Sequence, residues 1–245
     1  NTRGGLHFLL AIKFMVSNVK QNIMILLIII ALTGASVFSV VLYYNIASDK
    51  TAFVNLFGTE PANVMVSVKQ ETDTRELLSH IEKIDQVRKV NINDFIRTKI
   101  NGQTVYTNIT DNYNYFENDV IYEGRQPKHE NEISISWIVA EQINKGIGDT
   151  VEVEYGTEKV SFLVTGLSQS ISNLGQIAAL TMDGVQQLHA DYKGMNLYVY
   201  LDGISNEQFI ENIQKQYGSS IVETLNIDET IESQTAMYTT AVFAV

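Results

Sequence analysis

Residues 23–44 read IMILLIIIALTGASVFSVVLYY, an uncharged apolar run that decides how the rest of the chain is organised. As a helix this run would be about 33 Å long, enough for a hydrocarbon core of about 30 Å. Tyr43 and Tyr44 lie where an interfacial aromatic belt is expected. A helix buried in a soluble core is the alternative, but such a helix rarely lacks a polar stripe. We therefore predict a transmembrane helix over residues 23–46.

The charges on the two sides of this run differ in sign. Arg3, Lys13 and Lys20 are the only charged residues before it, whereas 14 of the 17 basic residues and all 28 acidic ones follow it. Because basic flanks stay in the cytoplasm, we expect a cytoplasmic amino terminus and extracytoplasmic residues 47–230. The absence of cysteine and a composition rich in Asn, Ile and Lys favour a bacterial cell membrane. The acidic outer part argues against nucleic-acid binding. The chain has no cysteine, which excludes disulfides and thiolate metal sites.

Both ends of the chain carry further membrane signals. Residues 1–22 have an apolar face opposite a face with lysines, which predicts an amphipathic helix in contact with lipid at the cytoplasmic interface. Residues 231–245 become apolar and uncharged towards their end, which predicts the start of a second transmembrane helix; a buried terminal strand is the alternative. Within the first span, small side chains form a patch that would let another helix pack closely: Thr33, Gly34, Ala35 and Ser36.

The part after the span contains a repeat. An alternating strand at residues 64–68, helix-capping residues at 72 and 73 and a second strand from residue 90 form one β-α-β pattern. A strand at residues 197–201, a capping box from Ser205 and a strand at residues 221–227 form another. We predict that these units share one sheet covered by two helices, a membrane-proximal subdomain made of residues 47–95 and 196–230.

Residues 96–195 are predicted to be a strand-rich insertion between the two units. Asn101-Gly102 lies between two alternating runs and predicts a tight hairpin. Asp183 is expected to cap a short helix that ends at Leu188. The predicted fold class is thus α+β: a transmembrane helix, two β-α-β units and an inserted strand-rich subdomain.

No catalytic motif is present in the sequence, so we do not expect an enzyme. The four histidines are scattered, and the run from His129 to Glu132 is expected to be a solvated loop rather than a metal site. A polar loop between two strands could contact a substrate or partner, or could be a plain connector. Its candidate residues are Ser168, Gln169, Ser170, Asn173, Gly175 and Gln176.

These features together resemble the amino-terminal part of FtsX-like ABC transporter permeases and the outer core domain of the MacB-like branch. The resemblance covers nearly the whole chain and is fairly specific in the order and spacing of its parts. It rests on the span ending in LTGASVF (32–38), on YEGRQP (122–127) and NEISIS (131–136), on Ala140, and on GDTV (148–151) and FLVTG (162–166).

The resemblance implies a fold and a function. The outer domain is expected to have a porter-like part of two β-α-β units and an inserted part. The permease is expected to be a dimer that recruits a cytoplasmic ABC ATPase, with ATP and Mg²⁺ bound in that partner and no cofactor in this chain. ATP hydrolysis would move the outer domain to export or extract a peptide, lipoprotein or toxic lipophilic compound, or to activate an outer partner. A membrane sensor with an extracellular ligand domain between two spans is the alternative.

Overall fold

The computed structural model describes Lys13 and residues 19–43, 60–170 and 172–243, which form two compact units. The first unit contains helix α1 (Val19–Tyr43) and residues from Ala236 onward. Within the described residues, one helix is long and apolar enough to cross a membrane, over Val19–Val41, and its side chains are mainly exposed. This helix matches the predicted span but begins four residues earlier. The predicted interfacial helix lies outside the described residues, apart from Lys13 and residues 19–22.

The second unit is the α+β domain between residues 60 and 235. Its helices are α2 (Thr74–Ile81), α3 (Trp137–Ile143), α4 (Met182–Leu188), α5 (Asn206–Tyr217) and the first part of α6 (Ile227–Phe243). Its strands are β1 (Val64–Val68), β2 (Val87–Ile100), β3 (Gln103–Thr110), β4 (Ile121–Gly124), β5 (Glu132–Ser136), β6 (Thr150–Tyr155), β7 (Glu158–Ser168), β8 (Ile177–Thr181), β9 (Asn196–Leu201) and β10 (Ile221–Asn226).

The two predicted β-α-β units interleave in one sheet. The strand order is β10-β1-β9-β2, and every neighbouring pair is antiparallel, so each unit encloses a strand of the other. Asp73 caps α2 through backbone N–H groups of Arg75 and Glu76, and Ser205 caps α5 through that of Gln208. The inward residues of these strands pack against Leu77 and Phe209 of the two helices, in one apolar core.

The insertion folds into a small closed barrel. Strands β2, β3, β8, β5, β7 and β6 follow one another around it, and β6 closes the ring on the end of β2 through Lys99↔Glu154 and Ile100↔Val153. Side chains such as Phe162, Ile135 and Leu180 fill its interior. The Asn101-Gly102 hairpin is confirmed, since both residues have positive φ, 47° and 86°.

Two sequence predictions require correction. The boundary predicted between residues 95 and 96 falls inside β2, which pairs with β9 through residues up to Ile92 and with β3 from Asn93 onward. The cap of α4 is Thr181, whose hydroxyl accepts from the N–H of Gly184, so that Asp183 lies in the first turn. Towards the carboxyl end, the structure has helix α6 rather than a terminal strand, beginning four residues before the predicted position.

Candidate functional site

A cavity of about 240 Å³ lies where the interleaved sheet meets the barrel. The sheet contributes Asn93 and Phe95 of β2 and Tyr198 of β9. Tyr198 reaches the cavity because successive side chains of β9 point to opposite faces of the sheet. Leu197 and Val199 enter the apolar core beneath the helices, so Tyr198 and Tyr200 face the other side. The barrel and its connections supply the remaining walls. Among these are Asn108, Tyr113, Phe116, Val120, Ser134, Ser168, Ser170 and Ile177.

Glu60 forms the ionisable end of the cavity. Its carboxylate accepts from the backbone N–H groups of Glu117 (2.8 Å) and Asn118 (3.3 Å) and from the hydroxyl of Tyr200. Burial raises the pKa of the Glu60 carboxyl, while these hydrogen bonds and the charge of Lys89 act in the opposite direction. The segment after β3 is therefore tied to the sheet by a buried acceptor.

Asp94 links the sheet to the chain that returns from the barrel. Its carboxylate accepts from the Tyr192 hydroxyl (2.7 Å), the Met195 N–H (2.8 Å) and the Asn196 amide (2.6 Å). The neighbouring Tyr198 has its pKa raised to about 12, first by burial and then by the charges of Asp94 and Glu60. Tyr198 is therefore a neutral hydroxyl at any physiological pH.

The floor of the cavity is a polar network on β2 and β3. The Asn108 amide donates to the side-chain oxygen of Asn93 and to the backbone oxygen of Asp94. The Tyr113 hydroxyl lies 3.0 Å from the backbone oxygen of Leu180, and its ring contacts Phe116 edge-to-face with centroids 5.3 Å apart. Asn108 is thus engaged inside the fold, although it begins a glycosylation sequence, Asn-Ile-Thr.

The predicted contact loop divides between the cavity and the surface. Ser168, which ends β7, and Ser170 line the cavity. The N–H of Gln169 bonds to the Val120 oxygen, and the Gln176 amide bonds to Gln142. Asn173 is exposed and Gly175 is buried against Ile138; both have left-handed backbone, with φ of 50° and 74°, and neither lines the cavity. The fold therefore brings only the first part of the predicted loop to the cavity.

A second polar cluster orders the turn before β5. Both guanidinium nitrogens of Arg125 lie 2.6 Å from the Glu132 carboxylate, which also accepts from the N–H groups of Lys128 (2.8 Å) and His129 (3.2 Å). These contacts, the bond to Arg125 first, hold the pKa of Glu132 at about 2. Glu132 thus stabilises the turn that precedes it in the chain. Among the described residues no group of three or more metal-ligating side chains occurs.

A third cluster joins the start of β1 to the end of β10. Val64 pairs with Asn226, so the start of β1 lies beside the end of β10. The Asn206 amide bonds to the side chains of Asn226 and Asp228, both at 2.8 Å, and Asn63 also donates to Asp228 at 3.1 Å. We call Asn63, Asn206, Asn226 and Asp228 the terminal clamp.

The small-residue patch predicted for helix packing lies within α1. Thr33, Gly34, Ala35 and Ser36 are exposed there, and the Ser36 hydroxyl bonds to the Leu32 backbone oxygen one turn earlier. A Cβ at Gly34 would meet no atom within 4 Å. The patch stays a prediction about helix association.

Sequence reasoning missed Glu60, Asn93, Tyr198 and the terminal clamp. The alternation of β9 contained a signal for Tyr198, because it places that side chain opposite the apolar core. Glu60 and Tyr200 are 140 positions apart, and no local pattern connects them.

Comparison with known proteins gives structural neighbours alone. No protein-family model and no curated protein sequence matches the chain. One similar solved structure is the periplasmic region of MacB from Actinobacillus actinomycetemcomitans, 14% identical with a TM-score of 0.49, where the match covers 75% of this chain and 98% of that one.

Two further structures are similar. The extracellular domain of the ABC-type transporter YknZ from Gram-positive bacteria is 13% identical, with a TM-score of 0.47 and coverage of 66% of this chain and 99% of that one. A domain described as part of a permease protein from Porphyromonas gingivalis is 14% identical, with a TM-score of 0.42 and coverage of 64% and 83%. The first two of these structures are described as a periplasmic region and an extracellular domain.

Proposed function

We propose that this chain is part of a permease subunit of a bacterial ABC transporter, in which cytoplasmic ATP hydrolysis moves the extracytoplasmic domain. The proposal rests on the resemblance of the sequence to FtsX-like and MacB-like permeases and on one apolar helix followed by an α+β domain. The substrate would be a peptide, lipoprotein or lipophilic compound. The subunit would work as a dimer beside a separate or fused ATPase, which would bind ATP and Mg²⁺. The chain itself would have no catalytic role.

The observation that supports mechanical coupling best is the terminal clamp. The Ile227 N–H donates to the Asn63 backbone oxygen at 3.0 Å. The Asn206 amide, at the start of α5, bonds to Asn226 and Asp228, the residues before and after Ile227. The clamp thus ties the start of β1 to the end of β10 and the beginning of α6. A displacement of the segments before β1 and after β10 would therefore reach the whole sheet, because its strands are joined by continuous backbone ladders.

The test is purification of the membrane-embedded protein that carries this chain, followed by an ATPase assay of the complex. An ATP-hydrolysing subunit should copurify, and Asn206→Ala should change its turnover because the two 2.8 Å hydrogen bonds to Asn226 and Asp228 are lost. Asn212→Ala, at an exposed position of the same helix, is the matched control and should leave turnover unchanged.

Absence of any nucleotide-hydrolysing partner would contradict the proposal and favour the sensor alternative. That alternative gains support from the cavity between sheet and barrel, since ligand-binding sites are commonly concave and mostly apolar, with a few polar groups. A copurifying ATPase whose turnover does not respond to Asn206→Ala would remove the clamp from the mechanism.

A further inference from the structure

The cavity is lined by polar side chains whose donor atoms are open to its space and are not sealed in the core; Asn93, Ser168 and Tyr198 are the ones that matter here. A donor that faces a cavity can be satisfied by water or by a bound ligand. Asn93 is 3% exposed and Ser168 is 4% exposed, and both line the cavity.

Three donors face the cavity without a hydrogen-bond partner among the described residues. The Asn93 side-chain oxygen accepts from Asn108, but its amide nitrogen has no acceptor. The hydroxyls of Ser168 and Tyr198 likewise have none, although the Ser168 backbone is fixed in β7 between Ile121 and Ser136. The fold therefore holds three donor groups rigidly around a space large enough for more than one water molecule.

The remaining walls suit an apolar body. Phe95 is 52% exposed although it lies in a strand beside buried residues, and it faces the same space as Phe116 and Ile177. Aromatic walls of this kind stack against flat rings or cover branched apolar groups.

The charges of the lining limit what can bind. No Lys, Arg or His occurs among the described residues that line the cavity, so an anion would have no counter-charge. Glu60 is the one carboxylate among these described lining residues, and three donors of the fold already occupy it. A cation would compete with those donors, whereas an uncharged ligand would not.

We propose that this cavity binds an uncharged amphiphile whose aromatic or branched apolar body lies against Phe95 and Phe116 and whose carbonyl oxygens accept from Asn93, Ser168 and Tyr198. An apolar molecule without acceptors would leave these donors unsatisfied and would bind more weakly. The site needs no nucleotide and no ATPase, so it stands or falls separately from the transporter proposal.

The probe is N-acetyl-L-tryptophanamide, which is uncharged and combines an aromatic ring with amide carbonyls. Equilibrium dialysis of the radiolabelled probe is performed against the protein in lipid nanodiscs, with empty nanodiscs as background. At the ligand efficiency of drug-sized molecules, saturable binding is expected with a Kd on the order of 0.1 mM.

Variants test whether the binding uses these groups. Ser168→Ala and Tyr198→Phe should each weaken binding about 3- to 10-fold, the effect of one hydrogen bond. Ala179→Leu, which fills the cavity from β8, should abolish saturable binding. Ser161→Ala on the exposed face of β7 and Tyr122→Phe on exposed β4 are matched controls that should keep the original Kd.

Thermal unfolding followed by Trp137 fluorescence checks that each variant is folded. Saturable binding that weakens in both hydroxyl variants and persists in both controls would support the site, even if Ala179→Leu does not fold. Binding that does not saturate in the original protein, or that is equal in the original protein and both hydroxyl variants, would overturn it and leave the cavity as a water-filled space.

Discussion

Replacement of Glu132 by Gln tests the account of the turn between β4 and β5. The change keeps the size of the side chain but removes its charge. The Glu132 carboxylate accepts from the two terminal nitrogens of Arg125 and from two backbone N–H groups. A fall in pKa from 4.5 to about 2 corresponds to an upper limit of about 3.4 kcal/mol, at about 1.36 kcal/mol for each pH unit. Because Arg125 is 42% exposed, solvent screening reduces this to about 2 kcal/mol.

The sign of the pH dependence follows from the lowered pKa. Folding favours the ionised form of Glu132, so its contribution is complete above pH 4.5 and is lost as the pH falls towards about 2. At pH 7 the variant should unfold about 4–8 °C lower, given the usual relation between free energy and Tm for a domain of this size. Near pH 2, where half of Glu132 is protonated in the folded protein, most of this difference should be gone.

Trp137 provides the assay, since it is the one tryptophan of the chain and begins α3 directly after β5. Thermal unfolding is followed by its fluorescence between pH 2 and 7 in the original protein and in Glu132→Gln. Glu154→Gln, which removes an exposed ion pair with Lys99, is the control and should leave Tm unchanged. Equal Tm values for the original protein and Glu132→Gln at pH 7, or a difference at pH 2 as large as that at pH 7, would refute the reasoning.

Two further predictions concern the Asp94 carboxylate and the Asn101-Gly102 hairpin. Asp94→Ala leaves three donors without their acceptor and should destabilise the domain by about 3 kcal/mol or more in urea unfolding; a loss below about 1 kcal/mol would contradict the role of this carboxylate. Gly102→Ala should cost about 1 kcal/mol or more of folding stability because its φ is 86°. No neighbouring atom would obstruct the new Cβ, so this cost would come from the backbone conformation alone. Gly146→Ala, in equally open space without positive φ, should be neutral or slightly stabilising, and an equal loss in both glycine variants would be inconsistent with a conformational cause.

The elements of the sheet were predictable because their signals are local. The alternation in β1 and β9, the caps at Asp73 and Ser205 and the Asn101-Gly102 turn each depend on a few adjacent residues. The cap of α4 shows the limit of such signals, since Thr181 and Asp183 are both good capping residues two positions apart. The strand β8 extends to Thr181 and so decides between them.

The arrangement of these elements was less predictable. A repeat in the sequence indicates two β-α-β units but does not reveal that they interleave, nor that β6 closes a barrel through two residue pairs on β2. Residues 91–94 are buried in the middle of β2 although three of them are polar. The sequence prediction placed a subdomain boundary just after them, whereas in the structure this one strand belongs to both subdomains.

The cavity depends on contacts that are distant in sequence. Ser168 and Ser170 were among the predicted contact residues because they lie in a polar loop. Asn93 and Glu60 were not, because the sequence does not distinguish a buried polar residue from a solvated one. Only the fold shows that their neighbours are Asn108 and Tyr200.

The central claim is that ATP hydrolysis moves the outer domain, and a distance measurement tests it most directly. This chain has no cysteine, so a cysteine introduced at the exposed Val222 of β10 can carry a spin label in the complex with the proposed ATPase, once any cysteines elsewhere in the complex are replaced. The account predicts a distance between labels on two copies that shifts between the nucleotide-free state and the state trapped with ATP and vanadate. A distance distribution that is the same in both states, or the absence of any distance between copies, would contradict it.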